Sequence, residues 1–303
     1  MAKKTDYLRV WTDHPSNPLI EPPWPEFLLG DPTFLPADDG PDGSWHLFAN
    51  TLIGIHHFTS PDGVQWHRLG KVFPGFRAFL FKQGELFYLF YERFTVPWVR
   101  SHIEYRTSMD LENWTSETVA LRATLSWEGR YCRTAGNPCL ARAGDRFRLF
   151  YSANVVFLRD LGFCEPRYIG VAESEKVTGP FEKLPEPIIS PSEDDPHRNR
   201  GAGAIKVIYD DQRAIYWGFN NGIYSEENGR SRSAVMLMSS ADGVSFEDVY
   251  PEPVIAPGGG GWKKALVYQL DVRKVGDEMW LYYNARSSWR FGRERIGLAT
   301  TSV

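Results

Sequence analysis

Read for apolar and polar positions alone, the chain repeats one phrase five times. An apolar stretch meets a short Gly- or Asp-bearing turn and returns as an aromatic-rich stretch. The phrase runs as "DPTFLPADDGPDGSWHLFAN" from Asp31, "FRAFLFKQGELFYLFYE" from Phe76 and "GNPCLARAGDRFRLFYSAN" from Gly136. It returns as "GAIKVIYDDQRAIYWGFNN" from Gly203 and "LDVRKVGDEMWLYYNAR" from Leu270. Paired apolar runs around such turns predict β-hairpins, and repeats of roughly 45–70 residues have the scale of propeller blades. A second phrase follows the first: "TSPDGVQWHRL" at 59–69, "TSMDLENWTSE" at 107–117, "SSADGVSFEDV" at 239–249 and a weaker "AESEKVTGPFEKL" at 172–184. Here Ser and Asp side chains bond turn amides, and an aromatic residue opens the next strand and covers the gap to a neighbouring sheet. No segment keeps a 3.6-residue apolar period for long, so helix is nearly absent.

These patterns predict an all-β, five-bladed β-propeller in one domain, 1–303. The blades fall at about 14–73, 74–130, 131–191, 192–257 and 258–303. The fifth lacks an outer strand, and residues 6–12 ("DYLRVWT") supply it by pairing with 295–301, which closes the ring and protects an open edge.

Composition agrees. The 303 residues include 11 Trp, 14 Tyr, 19 Phe, 27 Gly and 21 Pro, the mixture of a turn-rich β protein. A net charge of −4 with mixed signs points to neither a nucleic-acid nor a membrane partner. Three cysteines, Cys132, Cys139 and Cys164, cannot all pair within one chain and lack CxxC spacing, which fits a reduced compartment. With no apolar run after the opening lysines, the expected location is cytoplasmic.

The architecture and "GDPTFL" together resemble the five-bladed propeller glycosidases of glycoside hydrolase families 43 and 32. The resemblance implies that Asp31 is the counterpart of their general base or nucleophile, that no cofactor is required, and that a structural calcium or other ion in the central channel is compatible with the fold. It also implies two further carboxylates, at which this chain departs. In "AGNPCLAR", Asn137 stands where a second Asp is expected. "RGAGAIKV", at the place of the acid, carries no carboxylate. Gln269 stands where a central His is often found. Glycoside hydrolysis uses two carboxyl groups, and an amide cannot take the charge role of one.

A proton donor must then come from elsewhere. The returning strands end at Asn50, Glu92, Asn154, Asn220 and Asn284. Asn is a poor strand residue, but it suits a rim where amides meet sugar hydroxyls, or it caps turns. Glu92, in "LFYERF", is the first candidate acid if it faces the pocket, where desolvation would favour its neutral form; the alternative is a pair with Arg77 or Arg93. Glu165, in "GFCEPRYIG", is the second. Asp194 and Asp195 lie nearest in sequence to the missing acid. Arg77, Arg133, Arg167, Arg200 and Arg286 gather at the predicted pocket ends, which fits an anionic substrate group or salt bridges. Trp24, Trp98, Trp127, Trp262 and Trp289 are candidate stacking platforms. His56 and His57 alternate faces on a strand and do not make a metal site.

The expected function is a glycoside hydrolase acting on a small glycoside in the central pocket, with an anionic glycoside among the substrates that the arginines would suit. The partner is a carbohydrate, with oligomeric state open. Two alternatives stand beside it: a non-catalytic sugar-binding propeller, and a non-hydrolytic enzyme using the arginines on an anionic substrate.

Overall fold

The computed structural model describes residues 8–95 and 100–302. They form five four-stranded antiparallel sheets. The inner strands are Gly30–Leu35, Phe76–Gln83, Ala135–Ala143, Ile205–Asp210 and Leu266–Val275. Each inner strand packs beside the next, and the last packs beside the first, which makes the ring. The expected five-bladed propeller is therefore the fold. Regular helix is confined, among the described residues, to three short 3₁₀ turns.

The ring is closed by the N-terminal segment, at a different register from that expected. Thr12–Asp13, rather than 6–12, pairs with Thr300 and Ala299, and Asp6 and Tyr7 lie outside the described residues. The closure continues past the strand. His14 N–H donates to Leu298 O at 2.9 Å, and the Asn17 amide both donates to Leu298 O and accepts from Leu298 N–H. Ile20 then bridges Ile296. A side-chain amide thus does what longer strand pairing was expected to do, because an amide can donate and accept at once.

The second sequence phrase forms the turns predicted for it. Asp62 Oδ1 accepts from the Val64 and Gln65 N–H groups, both at 2.8 Å, and Asp110 and Asp242 repeat the pattern. The aromatic residue that follows spans the inter-blade gap. Trp66 of blade one meets Tyr282 of blade five edge-on, Trp114 of blade two meets Phe48 of blade one, and Phe246 of blade four meets Phe150 of blade three.

Near the axis the inner strands are joined by polar groups. Asp271 Oδ2 accepts from Thr33 Oγ1 at 2.8 Å and from Phe34 N–H at 3.0 Å. Thr33 Oγ1 in turn accepts from Leu80 N–H at 3.0 Å. Lys206 of blade four is buried. Its Nζ donates to Pro138 O of blade three at 2.9 Å and lies over the Phe79 ring of blade two. It also feels the charges of Asp31 and Asp271, from blades one and five. A group that reaches all four other blades must sit near the ring axis. The centre of the ring thus carries a cation of its own, and among the described residues no group of three or more His, Cys, Asp or Glu is arranged to hold a metal ion.

Replacing Asn17 by Ala removes two hydrogen bonds at the closure. A thermal melt should report a loss of about 1–3 kcal/mol, the usual cost of a broken buried hydrogen-bond pair. An unchanged melting temperature would show that the seam does not depend on this amide.

Candidate active site

One cavity of about 670 Å³ opens over the start of the inner strands. Its floor is built by a backbone device. Asp31, Arg77 and Asn137 each sit at the bulge of an inner strand with φ of 55°, 54° and 49°. Non-glycine residues rarely adopt this left-handed conformation, and surrounding structure must hold them in it. For two of them the holder is an asparagine from the preceding blade. Asn284 Oδ1 accepts from Asp31 N–H at 3.0 Å, and Asn50 Oδ1 accepts from Arg77 N–H at 2.6 Å. All five residues line the cavity.

The cavity collects three carboxyl groups, Asp31, Glu165 and Glu294. Glu294 was not anticipated. It begins the third strand of blade five, Glu294–Ser302, much as Glu165 lies near the start of the third strand of blade three, Phe163–Ser174. Applying the Glu165 argument to the last blade would have found it. The incoming chain sets its position, since Glu294 N–H donates to Phe27 O and Leu29 N–H to Glu294 O. Its Oε1 accepts from Asn284 Nδ2 at 2.6 Å, so one amide touches both the Asp31 backbone and the Glu294 carboxyl. Gly30 leaves room for this, because a β-carbon there would collide with Glu294 and Asn284.

Burial governs the protonation of these groups. It pushes Asp31 above the ordinary carboxylate value, against the pull of Arg77 and the Asn50 amide. Burial, with the Asp31 charge adding, pushes Glu165 up to about 7 against Arg77 and Arg286. Burial and then Asp31 push Glu294 up to about 8 against Arg286. Two acids raised toward neutrality in one cleft make this cavity the candidate functional site.

The other expected residues divide. Asn50, Arg77, Asn137, Gln269, Asn284 and Arg286 line the cavity with the carboxyls. Gln269 Nε2 donates to Asn137 Oδ1 at 2.9 Å, joining two of the three positions at which the sequence departs from the glycosidase pattern. Gln269 Oε1 and the Tyr268 hydroxyl are buried there without a hydrogen-bond partner among the described residues. Glu92 lies elsewhere. Its Oε2 accepts from Arg77 Nη1 at 2.7 Å, and it lines a smaller adjoining cavity of about 230 Å³ with Asn154. Asn220 turns away, donating to the carbonyls of Ala202 and Ala204, and its neighbour Asn221 reaches the cavity instead. A one-residue shift along a strand moves a side chain to the other face.

Arg133 and Arg167 do not line the cavity. Arg133 O accepts from Ser101 N–H, and the exposed Arg167 lies over Tyr168. Asp195 pairs with Arg198, and with Asp194 it lines a separate surface hollow. Of the tryptophans, Trp127 packs on Tyr151, Trp262 on Tyr283, and Trp289 under Arg230 and Arg232. Trp24 is exposed outside the cavity, and Trp98 lies outside the described residues. His57 bonds His46, and His56 bonds Arg68 and Thr51; Thr51 lines the cavity, but neither His56 nor His57 does.

A family model, Glycosyl hydrolases family 43, matches residues 72–197. The chain is similar to the five-bladed propeller glycosidases. The matched segment includes Arg77, Glu92, Asn137 and Glu165, while Asp31 and Glu294 lie beyond it. The match supports a carbohydrate-active hydrolase as the broad class. Similar solved structures include the catalytic domain of a GH62 α-L-arabinofuranosidase from Coprinopsis cinerea, at 15% identity and a TM-score of 0.69 over 96% of each chain. An N-acetylgalactosamine deacetylase from F. plautii, solved with blood group B trisaccharide, matches at 14% identity and 0.69, over 96% of this chain and 95% of that one. A GH43 endo-arabinanase from Bacillus licheniformis matches at 15% and 0.61, over 93% and 96%. At these identities the likeness shows the propeller fold. No curated protein sequence matches the chain.

The raised Glu294 has a consequence for stability. The folded protein keeps this proton up to about pH 8, whereas the unfolded chain releases it near the ordinary carboxylate value. Between those limits the unfolded state binds fewer protons, so stability falls as pH rises. Glu294→Gln removes that loss. The melting temperature of the variant relative to the parent should climb from pH 5 to pH 9, and a flat difference would show that Glu294 titrates as an ordinary carboxylate.

Proposed function

We propose that the protein is a glycoside hydrolase acting on a small glycoside, with Asp31 as base or nucleophile and Glu165 as proton donor. The observation that carries this reading is the meeting of buried carboxyls from facing blades in one cavity lined by amides. Asp31 and Glu294 come from adjacent blades, one and five. Glu165 comes from blade three, which faces the junction of those two in a five-membered ring. Hydrolysis needs carboxyls on opposite sides of the scissile bond, and this pairing supplies them.

The environments also divide the labour. Burial raises Asp31, and Arg77 and Lys206 pull it back toward the charged form that a base or nucleophile needs. Glu165, at about 7, is poised to give a proton near neutral pH. Glu294, neutral up to about pH 8, places no second negative charge beside Asp31. Glu92 is the first candidate donor on sequence grounds. Its ion pair with Arg77 and its place outside the main cavity favour Glu165. Arg286, whose guanidinium donates to the carbonyls of Gly292 and Arg290, is the cation best placed to meet an anionic substituent.

The test is a pH profile on a natural glycoside and on one with an activated leaving group. With the parent protein, kcat/KM should fall above about pH 7 as Glu165 loses its proton. Glu165→Gln should abolish that limb and cost about 10²–10⁴ in rate on the natural substrate, the worth of a positioned acid. The loss should be much smaller with the activated one. Equal losses on both substrates would remove Glu165 from the donor role. If no glycoside is turned over and sugars still bind, the cavity is a sugar-binding site without hydrolysis.

A further inference from the structure

Above its polar floor the cavity has an apolar mouth. Phe27 comes from the segment before the first inner strand and Leu52 from the hairpin that joins Trp45–Thr51 to Gly54–Ser60. Phe163 begins the third strand of blade three, and Phe291 lies in the connection leading to Glu294–Ser302. Phe291 is 91% exposed, Leu52 51% and Phe27 49%. One exposed apolar side chain needs no explanation. Several, brought by four separate segments around one opening, form a patch of the kind that marks a binding surface. Folding gives little reason for Phe27, Leu52 and Phe291, since residues this exposed bury little surface, whereas Phe163 is half-buried against Tyr268 and Arg286 and presents its remaining face.

The floor and the mouth ask for different chemistry. Asn50, Asn221, Asn284 and the carboxyls below match hydroxyl groups. The collar matches a group that has none. Among the described residues no indole that would suit a second sugar ring lines the cavity; Trp127 and Trp262, for example, are packed elsewhere. We propose that the ligand is a glycoside with an apolar aglycone, alkyl or aryl, its sugar on the polar floor and its aglycone along Phe27, Leu52, Phe163 and Phe291. Glu165 is two residues from Phe163, so the proton donor lies beside the collar that the departing aglycone passes. This inference rests on reading the floor as the sugar site.

The experiment reads binding rather than turnover. A panel of monosaccharides, each as its methyl and its n-octyl glycoside below the micelle concentration, is titrated by calorimetry into the intact protein. For any sugar recognised, the octyl form should bind about 10- to 100-fold more tightly, as expected when a few methylenes leave water. Phe291→Ala and Leu52→Ala should each draw the octyl-to-methyl ratio toward one. A ratio of one in the parent protein overturns the inference, as does the absence of binding by every octyl glycoside. An n-octyl chain on an uncharged non-sugar head that binds as well as the glycosides also overturns it, because the collar would then be an indiscriminate apolar patch. An octyl preference without hydrolysis would sink the hydrolase reading alone, and hydrolysis with a ratio of one would sink this inference alone.

Discussion

The site depends on one backbone constraint, the left-handed residue at the bulge of an inner strand. Asp31 and Arg77 are held in that conformation by side-chain amides of the preceding blade, Asn284 and Asn50. A left-handed non-glycine residue costs free energy, and the hydrogen bond that offsets the cost crosses a blade boundary. The same contact therefore locks neighbouring blades together and sets a charged residue on the cavity floor. This gives a physical account of two of the asparagines that recur where strands return to the rim, Asn50 and Asn284, which hold the floor and also line the cavity. Asn154 and Asn220 bond nearby backbone groups instead.

Charge is arranged around that floor in layers. Lys206 lies beneath it near the axis, buried and bonded to a carbonyl. Arg77 lies within it, tied to Glu92. Burial works against the Arg77 charge, yet Glu92 and then Asp31 hold its guanidinium above the ordinary value. Burial raises Asp31, Glu165 and Glu294 alike above the ordinary carboxylate value, and cations so fixed oppose it. The hold of each carboxyl on its proton is therefore a product of packing and of charges brought by other blades.

Asn137 and Gln269, two of the three departures from the glycosidase pattern, bond to each other. Where the resemblance implies an acid and a histidine, this chain places two neutral amides. An amide pair needs no ion or proton to be satisfied, so the floor is complete without the carboxylate expected there. The other buried carboxyls of the cavity, Glu165 and Glu294, come from the third strands of blades three and five.

By itself the sequence determined the propeller, its five units, its nearly helix-free character and the placing of Asp31. Those follow from local rules: the two-residue period of strands, the chemistry of hairpin loops and the Ser–Asp turns. Tertiary structure alone decided which polar side chains share a cavity. Whether Asn220 or Asn221 faces inward turns on one residue of register, and Glu92 became the partner of Arg77 because the bulge aims Arg77 toward it. Glu294 meets Asp31 only because the chain closes its ring there, bringing residues more than 250 positions apart into one pocket. The protonation of Glu165 and Glu294 was equally beyond the sequence, since burial and the charges of other blades set it and neither is a property of neighbouring residues along the chain.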